Sequence, residues 1–216
     1  MSETSSKKRK LSLPLVLAGG VSSLVLALGM SPTFSAFSAS ITNSLNTAGA
    51  GTLVMQETDA SNTECNSNDG ATPALSLATN TATCISINKY GGKTAMVPGQ
   101  IQTTTVTIKN TGTITPTSFT LAPQGCTQAL GTPNGGATDA CTKFIIKVYA
   151  GATATDPVLN AVGEQTASTF ATALSLTPLA PQGTQQYTFS VQLVSTVSNA
   201  YQGITITQPL VWTFQT

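Results

Sequence analysis

Histidine is absent from the 216 residues, and charged side chains make up only 8% of them. The first absence removes HExxH and every histidine-based zinc site. It also removes Ser-His-Asp and Cys-His activation of a nucleophile. A peptidase built from carboxylates alone would need a convergent pair, and the eight acids offer no clear one, so neither an enzyme nor a cofactor is expected. The scarcity of charge excludes surface helices laced with ion pairs. No segment has a convincing amphipathic helix pattern, although 161–173 suits a short helix or a loop. Sequons for N-glycosylation are lacking too.

What is present begins with Lys7-Lys8-Arg9-Lys10, then an apolar run over 11–30, then Ser31-Pro32-Thr33-Phe34-Ser35-Ala36. These are the three regions of a secretory signal. An uncleaved anchor is the alternative, because about twenty apolar residues span a bilayer. Pro14 and Gly19-Gly20 weaken a helix there, and small Thr33 and Ser35 suit a signal peptidase, so cleavage is expected between Ser35 and Ala36. The predicted organisation is a signal over 1–35, an arm and Gly/Ala hinge over 36–51, and one domain over 52–216.

Removing 35 of the 216 residues leaves 181, enough for one domain. Four of the nine basic residues and one of the eight acids leave with the signal, so five bases face seven acids and the net charge is −2. That balance gives no footprint for nucleic acid or an anionic membrane; membrane contact is expected only in transit, through the signal.

Cys65, Cys84, Cys126 and Cys141 all lie downstream of the signal. An even count in an exported chain favours disulfides over buried free thiols. Of three connectivities, Cys65 with Cys84 and Cys126 with Cys141 is favoured, because Asn134-Gly135 lies midway in the second pair, where a hairpin would bring the two cysteines together.

β-Branched residues dominate, and period-two alternation recurs. Phe144, Ile146 and Val148 share one face; so do Tyr187, Phe189, Val191 and Leu193, and Leu210, Trp212 and Phe214. Further strands are expected at 53–55, 85–87, 104–109, 118–121 and 174–176, separated by turn signals such as Pro98-Gly99 and Asn110-Thr111-Gly112. Many short strands with frequent turns predict an antiparallel β-sandwich. Tyr201 and Trp212, which could stack a ligand, are expected in its core.

The arm alternates as well: Phe37, Ala39, Ile41 and Leu45 against Ser38, Ser40, Thr42 and Ser44, ahead of the hinge Thr47-Ala48-Gly49-Ala50-Gly51. It reads either as a first strand folded onto its own domain or as a donor strand that completes a neighbour's sheet. A head-to-tail contact of the second kind does not close and yields filaments. Among the acids, Glu57, Asp59, Glu64 and Asp69 cluster closely enough to suggest calcium, but the EF-hand order is missing and a solvated loop is the favoured reading. Lys89, Lys109 and Lys143 are candidates for intramolecular isopeptide bonds.

Three blocks resemble the TasA and camelysin family of secreted bacterial proteins, whose signal peptides are of the SipW-dependent type. They are Thr33-Phe34-Ser35-Ala36-Phe37-Ser38 leading into Ala48-Gly49-Ala50-Gly51-Thr52-Leu53; Val97-Pro98-Gly99-Gln100 running on to Ile108-Lys109-Asn110-Thr111-Gly112-Thr113; and Asn199-Ala200-Tyr201-Gln202-Gly203 followed by Trp212-Thr213-Phe214-Gln215. The resemblance implies a jelly-roll sandwich that polymerises with itself into extracellular biofilm fibres, each N-terminal arm inserted into the next subunit. The cysteines and the thin surface charge depart from the family pattern. Rival expectations are a secreted adhesin or ligand-binding module on the same sandwich and, more distantly, a camelysin-like metallopeptidase. The chain ends at Phe214-Gln215-Thr216 without a sorting motif, an ending that suits release or polymerisation better than wall attachment.

Overall fold

The computed structural model describes residue 41 and residues 47–69, 80–153 and 165–216. The chain divides into two units, Met1–Ala48 and Gly49–Thr216, the boundary falling inside the expected hinge. Of the first unit only Ile41, Thr47 and Ala48 are described, and Ile41 is exposed. The signal cleavage residues Ser35 and Ala36 and the arm residues Phe37, Ala39 and Leu45 lie outside the described residues.

The second unit is an antiparallel β-sandwich. Its strands are β1 (Met55–Asp59), β2 (Glu64–Asn66), β3 (Ile101–Asn110), β4 (Ser118–Pro123), β5 (Thr127–Ala129), β6 (Phe144–Ala150), β7 (Gln165–Thr166), β8 (Leu174–Leu176), β9 (Thr184–Leu193), β10 (Thr205–Thr207) and β11 (Leu210–Gln215). One sheet has the order β2-β1-β3-β9-β6-β7 and the other β11-β4-β8, with β10-β5 as a separate pair. The strands β3, β4, β6, β8, β9 and β11 fall alternately in the two larger sheets, a jelly-roll-like connectivity.

Alternation explains the core. Val106 and Ile108 of β3, Ile146 and Val148 of β6, and Tyr187, Phe189 and Val191 of β9 are all buried, and they meet Phe119 and Leu121 of β4. Trp212 and Phe214 pack on Phe119 with ring centroids 5.7 and 4.8 Å away. Strand β9 is central and its second face is covered too: Thr188 is buried, and its hydroxyl donates to the Gly151 carbonyl at 2.8 Å.

The NTG turn after β3 has a clear physical cause. Asn110 is fully buried; its amide nitrogen donates to the carbonyls of Ile114 and Leu179, both at 2.8 Å, and its Oδ1 accepts from the Gly112 amide at 2.9 Å. One side chain thereby satisfies three backbone groups of two loops. Gly112 is required beside it, since a Cβ there would lie 2.3 Å from the Thr52 carbonyl oxygen. That close approach lets the Gly51-Thr52-Leu53 segment zip onto the turn: Thr52 N donates to Thr113 Oγ1 at 2.8 Å and Thr113 N to Thr52 O at 2.9 Å.

Four expectations need correction. The strand predicted over 53–55 begins at Met55, because the residues before it bond to the NTG turn. Residues 85–87 form no strand: Ile85 is 95% exposed and Ile87 alone turns inward. The acid-rich stretch expected as a solvated loop is instead the β1–β2 hairpin, paired Gln56 with Asn66 through Thr58 with Glu64. At 161–173, the described part is the short strand β7 followed by a turn, in which Ser168 N donates to Cys141 O and Phe170 N to Thr166 O.

Disulfides join Cys65 to Cys84 and Cys126 to Cys141. No hairpin sets up the second pair. β5, which follows Cys126, takes β10 as its partner, and Cys141 lies in a 3-10 turn, Ala140–Thr142; Asn134-Gly135 only closes a small loop, with Gly131 and Gly135 exchanging backbone bonds. Two disulfides belong with an extracellular or otherwise oxidising setting. Among the described residues no helix is long and apolar enough to cross a membrane.

Candidate functional site

Two sheets of six and three strands cannot cover each other completely, and the shortfall is a cleft of about 1630 Å³. Small-molecule pockets run to about 300–1,000 Å³, so this one is of a size for a stretch of polypeptide. Apolar side chains of several elements line it, among them Met55, Ile87, Ile206, Leu210, Trp212 and Phe214.

One wall is β11, which pairs only with β4 among the described residues. The carbonyls of Pro209 and Gln215 accept from the β4 side, from Gln124 N and Thr117 N. In an antiparallel strand alternate residues present both backbone groups to the same side. Leu210, Trp212 and Phe214 therefore aim their N–H and C=O groups at the open edge while their side chains are half-buried against the core.

Edges of this kind are normally blunted by charge, proline, a bulge or shortness. β2, β7 and β8, the other edges of the two larger sheets, have only two or three residues each. β11 has six residues and no charged one. It is the edge best suited to receive a strand.

A buried polar cluster ties this wall to the opposite sheet. Glu57 points inward from β1, where alternation also buries Met55. Its Oε1 lies 2.8 Å from Lys89 Nζ and accepts from Trp212 Nε1 at 3.1 Å, and Lys89 Nζ also donates to Oε2 at 3.0 Å. The two side chains are only 7% and 11% exposed. Lys89 Nζ stands 5.9 Å from the centroid of the Trp212 ring, within cation–π range. Next to it, Tyr90 donates to Gln208 Oε1 at 2.6 Å, and Gln208 Nε2 donates to the carbonyls of Gln124 and Phe170. Burial raises the Tyr90 hydroxyl's pKa and pushes that of Tyr187 up to about 12.

The four candidate calcium ligands are thus divided among separate tasks. Glu57 neutralises Lys89; Asp59 caps its own turn, accepting from Ser61 N and Thr63 N at 2.8 Å; Glu64 accepts from Gln56 Nε2 at 3.2 Å; and Asp69 accepts from Asn66 N at 2.6 Å. Among the described residues no three metal-ligating side chains come together. Of the candidate isopeptide lysines, Lys89 meets Glu57, and Lys143 meets Asp139 at 3.1 Å. Lys109 lies in β3 beside Gln56 of β1 in the register.

Of the two aromatic candidates, Trp212 is in the core margin as expected, and Tyr201 is not. It sits on the 3-10 turn Asn199–Tyr201 at the surface, donating to Asp139 Oδ1 at 2.5 Å. That bond, then the Lys143 ammonium, hold the Asp139 carboxyl below its ordinary range. The Glu57–Lys89–Trp212 cluster escaped sequence reading because its members are 32 and 155 residues apart. The available signal was Lys89 itself, the first charged residue after Asp69.

No protein-family model matches the chain, and comparison with curated proteins returns no match. What can be said of function rests on the geometry of the cleft and on the sequence blocks.

Proposed function

We propose that the chain is a secreted structural subunit that polymerises head to tail into extracellular fibres, its arm over residues 36–46 entering the β11 cleft of the next copy. The observation that carries this reading is the pairing of an open, uncharged, six-residue edge with an apolar cleft of polypeptide size. The arm supplies the complement. Eleven residues in extended form span about 36 Å at roughly 3.3 Å each, more than β11 requires, and their apolar residues recur with period two. Burying Phe37, Ile41 and Leu45 contributes about 1.5–3 kcal/mol each, with roughly 1 kcal/mol net for each ladder bond, against the entropy of ordering the arm. Secretion is supported by the signal-like N-terminus and by the two disulfides. Membership of the TasA and camelysin family belongs to the same proposal, resting on the three blocks quoted above.

Electron microscopy of the exported protein tests it, with its N-terminal residue determined. Filaments are expected from the intact chain and soluble, less stable monomers from a variant lacking residues 36–46. Polymerisation of the truncated chain would refute the donor-strand reading. An intact chain that stays monomeric and retains a specific ligand would establish the binding module in its place.

A further inference from the structure

The open edge does not end at Leu210. β10 precedes β11 as β5 follows β4, and the two antiparallel pairings run on from one another: four steps from Pro123 to Thr127 face three from Thr207 to Leu210, so the extra residue lies on the β4–β5 side. The carbonyls of Thr207, Pro209 and Gln215 all accept from that side, from Thr127 Oγ1, Gln124 N and Thr117 N. Alternation therefore directs the backbone groups of Ile206 and Gln208, like those of Leu210, Trp212 and Phe214, to the open edge. The N–H that Pro209 lacks falls on the paired side. The amide and carbonyl of Gln208 make no backbone hydrogen bond among the described residues. All five side chains line the cleft; four are apolar, and Gln208 is buried and polar.

Gln208 and its neighbour have used every donor. Gln208 Nε2 donates to the carbonyls of Gln124 and Phe170 at 2.9 and 3.0 Å, and the Tyr90 hydroxyl donates to Gln208 Oε1 at 2.6 Å. Lone pairs remain on Tyr90 Oη and Gln208 Oε1. A strand laid on this edge must bring apolar residues at alternate positions and a hydrogen-bond donor at one of them. The arm has that pattern, with Asn43 set between Ile41 and Leu45.

We infer that Asn43 fixes the register of the incoming arm, which runs antiparallel to β11 with Asn43 opposite Gln208 and its Nδ2 donating to the free lone pairs there. This rests on the fibre reading and specifies its contact. Phe37 then meets Phe214, Ala39 meets Trp212, Ile41 meets Leu210 and Leu45 meets Ile206, the smallest arm residue facing the largest in the cleft. A slip of two residues either way buries the Asn43 amide against Leu210 or Ile206 and sets Gln208 against an apolar residue, leaving polar groups unanswered. A parallel arm with Asn43 at Gln208 would carry Phe37 past Ile204, whose amide already donates to Tyr201 O, and would bring no apolar residue to Trp212 or Phe214.

Cysteine pairs read the register. Setting Asn43 against Gln208 sets Ser40 against Val211, which is exposed on the outer face, in a non-hydrogen-bonded pair whose Cα atoms lie about 4.5 Å apart, within disulfide reach. Filaments of Ser40→Cys with Val211→Cys should oxidise to covalent oligomers, the bond located by peptide mapping, at a yield at least about fivefold above Ser38→Cys or Thr42→Cys with the same Val211→Cys, since diagonal neighbours stand too far apart. Asn43→Leu should level the three yields. Asn43→Asp brings a carboxylate to two acceptor oxygens and should raise the concentration needed for filament growth at least about tenfold. The register is refuted if cross-links favour Ser38 or Thr42 or form at none of the three positions, if Asn43→Leu leaves the preference intact, or if Asn43→Asp grows like the intact chain; filaments that still require residues 36–46 would leave the fibre reading standing. If the intact chain forms no filaments, the fibre reading fails and the register with it.

Discussion

Replacing Glu57 by Gln is the sharpest test of how the two sheets are held together. The side chain keeps its size, and its carbonyl oxygen can still accept from Trp212 Nε1, which lies 3.1 Å from Oε1. What disappears is the negative charge 2.8 Å from Lys89 Nζ. Breaking one side of a buried pair costs about 3–5 kcal/mol, most of it from the charge left behind. Lys89 retains some access to solvent, being 11% exposed, so the lower end, about 3 kcal/mol, is expected. For a domain of this length each kcal/mol is worth about 2–4 °C in the melting midpoint, giving a fall of roughly 6–12 °C.

Trp212 is the only tryptophan of the chain and touches the altered group. Its fluorescence during urea unfolding therefore reports both the transition and the local change. The double variant Glu57→Leu with Lys89→Met supplies the control: replacing both charges with apolar groups should recover most of the loss, since a buried pair is often no better than a hydrophobic replacement. A cost below about 1 kcal/mol for Glu57→Gln would refute the claim that the Lys89 charge, buried as it is, depends on Glu57. So would a double variant as unstable as the sum of the single ones.

Other consequences follow from the same geometry. Asn110→Ala leaves the Gly112 amide and two carbonyls without their partner and should cost about 2–4 kcal/mol in urea denaturation, while Gly112→Ala should be at least as damaging because of the Thr52 carbonyl. Asp139 has a lowered folded pKa, so the unfolded chain binds more protons as the pH drops and the stability it contributes is lost below its ordinary 3.8; Asp139→Asn should flatten that part of the acid limb in unfolding midpoints measured from about pH 5 to 2. Tyr90 and Tyr187 have raised folded pKa values, so stability is intact below the ordinary 10.0 and falls as the pH rises beyond it; absorbance at high pH should show both phenols ionising with unfolding. Cys126→Ser with Cys141→Ser opens a loop of sequence separation 15 and should cost about 3 kcal/mol by thermal denaturation.

The long strands were legible because each carries its own period. β6, β9 and β11 announce themselves in Phe144-Ile146-Val148, Tyr187-Phe189-Val191 and Leu210-Trp212-Phe214; burial follows that alternation in β6, while central β9 is buried on both faces. The three-residue strands β2, β5 and β10 were not, since three residues give little room to show a period, and β5 and β10 depend besides on each other across some eighty residues. The segment 85–87 misled for a related reason. Its Ile-Ser-Ile pattern alternates, but the segment pairs with no strand, so Ile87 alone is buried and Ile85 is left in water. The acids misled by their sequence proximity; pleating sends Glu57 inward, while Asp59 caps the adjoining turn.

The same distinction bears on the candidate site. Leu210, Trp212 and Phe214 mark a strand half-buried on one face, but whether that strand is central or at an edge is a property of its neighbours, and neighbours are set by topology. Alternation in the sequence therefore identified the arm and β11 as similar objects without revealing that one lacks a partner. The structure adds the asymmetry: a six-stranded sheet faces a three-stranded one, and its edge strand β11 is long and uncharged. An edge like that is a hazard in a protein meant to remain single, because another chain's strand can extend it. On the fibre reading the same edge is the means of assembly.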